Sequence, residues 1–146
     1  MGLAAITTRD PRAEDNAFFS PLLRIRNRRI LVVEDDVDLR TPIERVARSI
    51  DRDLQVDWAS NVAGAFRLFE RSGYDLVLAD YVLESGPTGL VLQSWVAERH
   101  PRTRFAMMSA YLMRDDLRSA IGGSFPFLPK PFTVADCRSF IEAALP

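Results

Sequence analysis

The sequence has little cysteine, little histidine and no long apolar run. Its one cysteine, Cys137, excludes an internal disulfide, and its one histidine, His100, precedes Pro101 as helix-terminal residues often do. No apolar run approaches the roughly 20 residues that cross a bilayer, and the N-terminus lacks the basic-then-apolar pattern of a signal peptide. These absences predict a cytoplasmic location, a reduced thiol and no membrane partner.

The chain also lacks a basic excess. Its 19 lysine and arginine residues are matched by 20 aspartate and glutamate residues, which leaves a net charge of −1. A dedicated nucleic-acid binder usually carries a clear positive charge, so no direct contact with nucleic acid is expected. The length of 146 residues and the apolar fraction of 47% suit one domain with one ordinary hydrophobic core.

Residues 1–28 differ in composition from the remainder and are interpreted as an N-terminal extension. They contain two prolines, scattered polar residues and a run of arginines directly before the first apolar run. The stretch from Ala13 to Ile25 carries Phe18, Phe19, Leu22 and Leu23 and could form a short docking helix. A tail without fixed structure explains the same composition equally well.

From residue 29 onward, short apolar runs alternate with stretches of helical periodicity. Such runs are typical of strands covered on both faces of a parallel sheet. The predicted strands are Ile30–Val33, Val56–Ala59, Leu76–Ala79, Phe105–Met108 and Phe125–Leu128, and the predicted helices are Leu39–Ile50, Asn61–Ser72, Leu90–Arg99, Asp115–Ile121 and Val134–Leu145. Five strand-then-helix units predict an α/β domain over residues 29–146, with a doubly wound parallel sheet.

Two of the predicted helices carry capping patterns at their ends. The stretch from Thr41 to Glu44 looks like a capping box with a proline in the first turn, although this would start the helix several residues after the strand ends. Asn61 or Ser60 is expected to cap the second helix, and Gly73 is expected to follow it as a C-cap.

Chemically matched side chains follow the ends of four predicted strands. They are Glu34, Asp35 and Asp36 after the first strand, Asp80 after the third, Ser109 after the fourth and Lys130 after the fifth. In an open parallel sheet, ligands bind beyond these carboxyl ends. Crowded acids require a cation, and several oxygen ligands without histidine or cysteine favour Mg²⁺ over zinc.

The lysine and the hydroxyl at this edge favour the chemistry of a phosphoryl group. Lys130 would supply a positive charge to phosphoryl oxygens, and Ser109 a hydrogen-bond donor. A carboxylate can attack phosphorus to form an acyl phosphate, and Asp80 lies at the centre of the set. Each residue alone has a structural explanation, since acids after strands often only cap helices. Their combination predicts a phosphoryl-acceptor site.

Four segments of the chain resemble the receiver domain of two-component response regulators. They are residues 30–36 (ILVVEDD), 74–80 (YDLVLAD), 108–110 (MSA) and 130–132 (KPF). The similarity covers about Arg29 to Leu145 and implies a flavodoxin-like sheet with the strand order 2-1-3-4-5. It also implies a single-domain response regulator, which is not an enzyme beyond catalysing its own phosphorylation and slow dephosphorylation.

The resemblance implies a role for each residue of the acidic edge. Asp80 would be the phospho-acceptor and Asp35 a direct Mg²⁺ ligand, with Glu34 assisting through water. The backbone carbonyl of Val82 would complete the protein ligands, and Lys130 would contact the phosphoryl group. A sensor histidine kinase or a histidine phosphotransfer protein would be the phosphoryl donor.

The resemblance further implies a conformational switch. Ser109 would be the switch hydroxyl and Phe127 the aromatic rotamer switch, and the Lys130–Pro131 bond would be cis. Their movement would reshape the face of the fourth helix, fifth strand and fifth helix, from roughly Asp115 to Leu145. Since only one residue follows the last helix, no attached output domain is expected. A downstream protein or a second copy of the chain would bind this face or the N-terminal extension.

The loop after Asp80 departs from the family pattern. The stretch from Tyr81 to Gly89 is one residue longer than the common form, and Glu84 stands where many receivers have proline. Two positions that influence phosphate hydrolysis in the family hold Val82 and Tyr111, and neither readily orients an attacking water. Slow self-dephosphorylation is therefore expected.

Two other functions compete with this prediction. A degenerate receiver would bind partners without being phosphorylated, although the intact acids, hydroxyl and lysine argue against it. A phosphatase of the haloacid-dehalogenase type would use Asp36 and Asp38 as its paired aspartates, but that motif should begin at the strand end, where Glu34 stands. Flavin binding is disfavoured, because a phosphate cradle after the first strand requires Gly, Ser and Thr rather than acids.

Overall fold

A computed structural model describes residues 27–83, 86, 88–110 and 125–146. Its strands are β1 (Arg29–Val33), β2 (Gln55–Ala59), β3 (Leu76–Asp80), β4 (Arg104–Ser109) and β5 (Phe127–Pro129). They form one parallel sheet in the order β2-β1-β3-β4-β5. The predicted fold class and strand order are therefore confirmed.

Helices pack on both faces of this sheet. They are α1 (Arg40–Ile50), α2 (Val62–Arg71), α3 (Gly89–Arg99) and α4 (Val134–Ala144), and a short 3₁₀ helix (Val37–Leu39) precedes α1. The apolar residues of α1 and α4 pack on one face, and those of α2 and α3 on the other. The predicted helix Asp115–Ile121 and residues 1–26 lie outside the described residues. In the described ranges, no helix has the length and apolar character needed to cross a membrane.

The central strands are buried on both faces. Along β1, Leu31 and Val33 contact the α2–α3 side, whereas Ile30 and Val32 contact the α1–α4 side. All five residues of β3 are buried as well. This alternation follows from the two-residue period of a strand and explains why β1 and β3 read as continuous apolar runs. The buried strands hold the acidic residues that follow them in fixed positions.

The start of α1 rules out a capping box at Thr41 and agrees with the earlier start of the predicted helix Leu39–Ile50. The helix begins at Arg40, so Thr41 and Pro42 lie in its first turn, and no side-chain hydrogen bond caps it. The reason is that the 3₁₀ helix runs directly into α1. Leu39 is already helical, with φ −77° and ψ −15°, which leaves no extended residue to act as an N-cap. Proline is tolerated there because its missing N–H has no partner in a first turn.

The ends of α2 match the prediction only in part. Asn61 caps the helix as expected, and its side-chain oxygen accepts a hydrogen bond from the Gly64 N–H at 2.7 Å. Gly73 does not form a glycine cap, since the helix ends at Arg71, its C-cap residue Ser72 has extended backbone, and Gly73 has no positive φ. The helix therefore leads directly into the chain segment before β3.

The fifth strand starts later than predicted. Phe125 and Pro126 precede it, and the strand spans only Phe127–Pro129. Pro126 accepts a hydrogen bond from the Met107 N–H at 3.0 Å but has no N–H of its own to extend the ladder. Phe125 is nevertheless buried, and its ring packs edge-on against Phe105 at 5.6 Å.

Candidate functional site

Glu34 lies directly after β1 with its carboxylate turned into the protein. Its N–H donates to the Ala59 carbonyl at 2.9 Å, and its side chain is 1% exposed. One carboxylate oxygen accepts a hydrogen bond from the Asp36 N–H at 3.0 Å. Glu34 therefore both belongs to the acidic edge and shapes the loop that follows.

Three of the predicted acids come together at the carboxyl ends of β1 and β3. Glu34, Asp35 and Asp80 each offer a carboxylate oxygen, and these oxygens lie within 4.8 Å of one another. Asp36 is exposed and is not part of this cluster. Its side chain instead accepts a hydrogen bond from the Asp38 N–H at 3.0 Å and caps the 3₁₀ helix. Local turn geometry therefore separates Asp36 from its two neighbours.

Lys130 bridges two of the three acids. Its Nζ lies 2.5 Å from Glu34 Oε2 and 3.0 Å from Asp80 Oδ2. The Lys130–Pro131 peptide is cis, as predicted. The Lys130 N–H donates to the Ser109 carbonyl at 3.1 Å, which connects the end of β5 to the end of β4.

Burial and ion pairing act in opposite directions on these groups. Burial raises the pKa of the Glu34 carboxyl, and the hydrogen bonds from Lys130 and the Asp36 N–H counteract part of that rise. Burial alone would lower the pKa of Lys130, but hydrogen bonds to Glu34 and Asp80 outweigh it and raise the pKa. Lys130 is therefore a cation at neutral pH.

The donor set fits a hard divalent cation. When ionised, the three carboxylates exceed the one ammonium by two negative charges. All the offered ligand atoms are oxygens, which suit Mg²⁺ and not zinc. A dication among them would balance the excess charge and reduce the repulsion between the acids. Glu34, Asp35 and Asp80 are thus the residues that could hold Mg²⁺.

Ser109 is buried at the end of β4, next to the acidic cluster in the sheet. Asp80 pairs with Met108 across the β3–β4 ladder, so Ser109 lies one residue beyond the partner of Asp80. The Tyr81 N–H donates to the Met108 carbonyl at 2.9 Å, which keeps the two strands together past the ladder. The sheet thus brings together Asp80, Ser109 and Lys130.

The loop after Asp80 is described only in part. The Val82 N–H donates to Asp80 Oδ1 at 3.3 Å, and the Val82 side chain is exposed. The loop closes where the Gly89 N–H donates to the Tyr81 carbonyl at 3.0 Å. Glu84 and Tyr111, which the sequence analysis singled out, lie outside the described residues.

Phe127 lies on β5, three residues before Lys130. Its ring is half-buried, packs against the core on the α2–α3 side and meets the Phe125 ring at 5.1 Å. Part of the Phe127 side chain therefore contacts the core and part of it remains accessible to solvent.

Sequence reasoning missed two residues of this site. Trp58, on the edge strand β2, donates its indole N–H to the Glu34 carbonyl at 3.0 Å. Gly89, the first residue of α3, lies against the backbone of Asp80. From the sequence, Trp58 could be placed only near the end of a strand and Gly89 only near the start of a helix. Their contacts could not be predicted, because each joins separate segments of the chain.

Comparisons with known proteins agree with this geometry. The family model for the response regulator receiver domain matches residues 30–142. The response regulator protein PilR of Pseudomonas aeruginosa is 35% identical over 116 residues, which are 79% of this chain and 25% of that protein. The DNA-binding transcriptional regulator NtrC of Escherichia coli is 28% identical over 120 residues, 80% of this chain and 24% of that protein. The chain thus spans about a quarter of the length of these relatives.

Solved structures show the same fold. The response regulator TrrA of Thermotoga maritima, in complex with Mg²⁺ and BeF, superposes with a TM-score of 0.67 at 24% identity, covering 81% of this chain and 99% of that one. Another response regulator of Thermotoga maritima has a TM-score of 0.69 at 22% identity, covering 82% and 98%.

Proposed function

Because the chain belongs to the response regulator receiver domain family, we propose that it is a signalling domain that accepts a phosphoryl group on Asp80. The observation that carries the proposal is the bridge from Lys130 to both Glu34 and Asp80, with Asp35 in the same acidic cluster. These are the charges that phosphoryl transfer to a carboxylate requires.

The positions of these groups support the following transfer. A carboxylate oxygen of Asp80 attacks the phosphorus of a phosphohistidine on a sensor kinase or phosphotransfer protein. The phosphorus–nitrogen bond breaks, and its electron pair returns to the imidazole as the acyl phosphate forms. Lys130 would contact the phosphoryl oxygens. Asp35, Asp80 and the Val82 carbonyl would hold Mg²⁺, and Glu34 would assist through water. Bound Mg²⁺ supplies positive charge to the same oxygens.

The proposed switch uses Ser109 and Phe127. Ser109 would move its hydroxyl towards the new phosphoryl group, and the half-buried ring of Phe127 would turn inward as space opens. These two movements would reshape the surface around β5 and α4. The helix α4 is the fifth of the helices predicted from the sequence, Val134–Leu145. That surface would bind a downstream protein or a second copy of the chain. Residues 1–28, proposed as a separate extension, are the other candidate for this contact.

Exposed apolar side chains around the site support docking of a protein donor. The described residues include four exposed valines, which follow the ends of β1, β3 and β5: Val37, Val82, Val91 and Val134. All four follow strand ends at the edge of the sheet that carries the charged cluster. Apolar contacts beside a polar centre are typical of protein interfaces. We expect the docking partner in the cytoplasm.

The test is phosphorylation by a small-molecule donor. The purified chain is incubated with acetyl phosphate and Mg²⁺, and its intact mass is measured. The wild type should gain one phosphoryl group, Asp80→Asn should gain none, and removing Mg²⁺ with EDTA should abolish the gain. Asp36→Asn is the matched control, because Asp36 lies next to the cluster but outside it.

A wild type that gains no phosphoryl mass would overturn the proposal. Partner binding without phosphorylation would then favour the degenerate receiver. Steady hydrolysis of a phosphate monoester would instead support the phosphatase alternative.

A further inference from the structure

We propose that Trp58 is a positioning residue for the Mg²⁺ site, through a hydrogen bond to the peptide that links Glu34 and Asp35. This inference rests on the proposed function, because it concerns the same acidic cluster. It concerns a residue on the neighbouring edge strand, β2, which offers no ligand of its own to that cluster.

The first observation is the position of the indole donor. Trp58 Nε1 donates to the Glu34 carbonyl oxygen at 3.0 Å. The backbone pairing of β1 with β2 ends at Val33 and Ala59, so this carbonyl lies beyond the ladder. The indole of Trp58 therefore adds one hydrogen bond between β2 and the residue that follows β1.

The second observation is that both peptides next to Asp35 are held. The Glu34 carbonyl and the Asp35 N–H belong to one planar peptide unit, and the Trp58 indole fixes its orientation. On the other side of Asp35, the Asp36 N–H donates to the buried Glu34 carboxylate at 3.0 Å. These two hydrogen bonds therefore constrain the backbone on both sides of Asp35, and one of them comes from Trp58.

The third observation is that the indole is well supported. Trp58 is half-buried and packs against the apolar residues on the α1–α4 face. A side chain held by packing can orient its hydrogen-bond partner, as residues that support metal ligands do in many metal sites. The Asp35 oxygen lies within 4.8 Å of those of Glu34 and Asp80, so rotation of this peptide would move it relative to the other two and disturb the cluster.

The experiment compares the two tryptophans of the chain. Trp58→Phe keeps an aromatic ring but removes the donor. Trp95→Phe is the matched control, because Trp95 packs against Phe66 and Phe69 on the opposite face of the sheet. Mg²⁺ affinity is measured by calorimetry on the folded full-length chain, and urea unfolding is measured in parallel.

Trp58→Phe should weaken Mg²⁺ binding about tenfold or more, the usual effect of losing a group that orients a metal ligand. Trp95→Phe should leave the affinity within about twofold of wild type, although loss of buried aromatic area should lower its stability. In the Trp95→Phe variant, all tryptophan fluorescence comes from Trp58. The intensity of this fluorescence should change on addition of Mg²⁺, with a midpoint at the dissociation constant measured by calorimetry. In the Trp58→Phe variant, the fluorescence comes from Trp95 and should not change on addition of Mg²⁺.

The outcomes separate this inference from the proposed function. Equal Mg²⁺ affinity for wild type and Trp58→Phe would overturn the positioning role and leave the metal site in place. Absence of Mg²⁺ binding by the wild type would overturn both. If Trp58→Phe does not fold, benzothienylalanine at position 58 replaces the indole N–H with sulfur at nearly the same shape. Wild-type affinity in that variant would equally contradict the role of Trp58.

Discussion

Gly89 lies directly against the backbone of Asp80. A β-carbon at Gly89 would come within 3.0 Å of the Asp80 carbonyl oxygen, closer than real side chains approach. The obstacle is main chain and not the flexible end of a side chain, so it cannot rotate away. The first turn of α3 therefore rests on the proposed acceptor residue.

Replacing Gly89 should disturb both stability and phosphorylation. Gly89→Ala should lower the free energy of unfolding by about 1–3 kcal/mol, the usual range for overpacking, and should slow phosphorylation of Asp80 by acetyl phosphate. Urea unfolding and intact mass measure the two effects. Gly73→Ala is the control, since no atom lies within 4 Å of a β-carbon there. Equal unfolding curves for the two variants would refute this account.

Removing Lys130 should make stability depend on Mg²⁺. Lys130→Met leaves the buried carboxylates of Glu34 and Asp80 without their cation, and breaking such a pair destabilises by about 3–5 kcal/mol. Added Mg²⁺ should restore part of this loss, because a dication can neutralise the same acids. Thermal unfolding with and without Mg²⁺ measures the effect.

The control for Lys130 is an exposed ion pair. Arg138 and Glu142 pair at 3.1 Å, with side chains 47% and 45% exposed, so Arg138→Met should change stability by about 0–1 kcal/mol without any Mg²⁺ effect. A Lys130→Met variant that behaves like Arg138→Met would contradict the structural importance of the bridge.

The buried thiol of Cys137 should reduce stability at alkaline pH. Burial raises the pKa of Cys137 from 9.0 to about 11, so the fold favours the neutral thiol. Its stabilising contribution is complete below pH 9 and is lost as the pH rises through 11, because the unfolded chain releases the proton first. Two pKa units correspond to about 2–3 kcal/mol.

Wild type should therefore lose about 2 kcal/mol more than Cys137→Ala between pH 8 and pH 11. Urea unfolding at several pH values measures the free energy of unfolding of both proteins. The titrations of other groups largely cancel when the two values are subtracted, because both proteins contain those groups. Parallel pH profiles for the two proteins would show that the thiol titrates normally in the fold.

The lifetime of the acyl phosphate should depend on Val82. This side chain is exposed beside Asp80 and cannot hydrogen-bond to an attacking water, so slow self-dephosphorylation remains the prediction. Val82→Asn adds a group that can orient water and should shorten the lifetime about tenfold or more. Intact mass is followed after the phosphoryl donor is removed. Val37→Asn, at another exposed valine of the same edge, should change nothing, and a wild-type lifetime of seconds would contradict the expectation.

The sheet and most residues of the candidate site could be predicted from the amino-acid sequence. Strands such as β1 and β3 are buried on both faces, so their apolar runs are continuous and can be recognised without any partner. Once the strands are placed, Glu34, Asp35, Asp80, Ser109 and Lys130 must fall at one edge, because parallel strands end together. The fold class and the location of the acids followed from the sequence pattern, whereas the strand order was implied by the resemblance to receiver domains.

The choice of which neighbouring residues share the site depends on tertiary packing. Asp36 leaves the cluster because its side chain caps a turn, and α1 starts at Arg40 because the 3₁₀ helix is already helical. The indole bond from Trp58 and the contact of Gly89 with Asp80 join residues 24 and 9 positions apart. Periodicity and capping rules describe neighbours along the chain, whereas these contacts depend on how separate segments pack, and that packing exists only in the folded molecule.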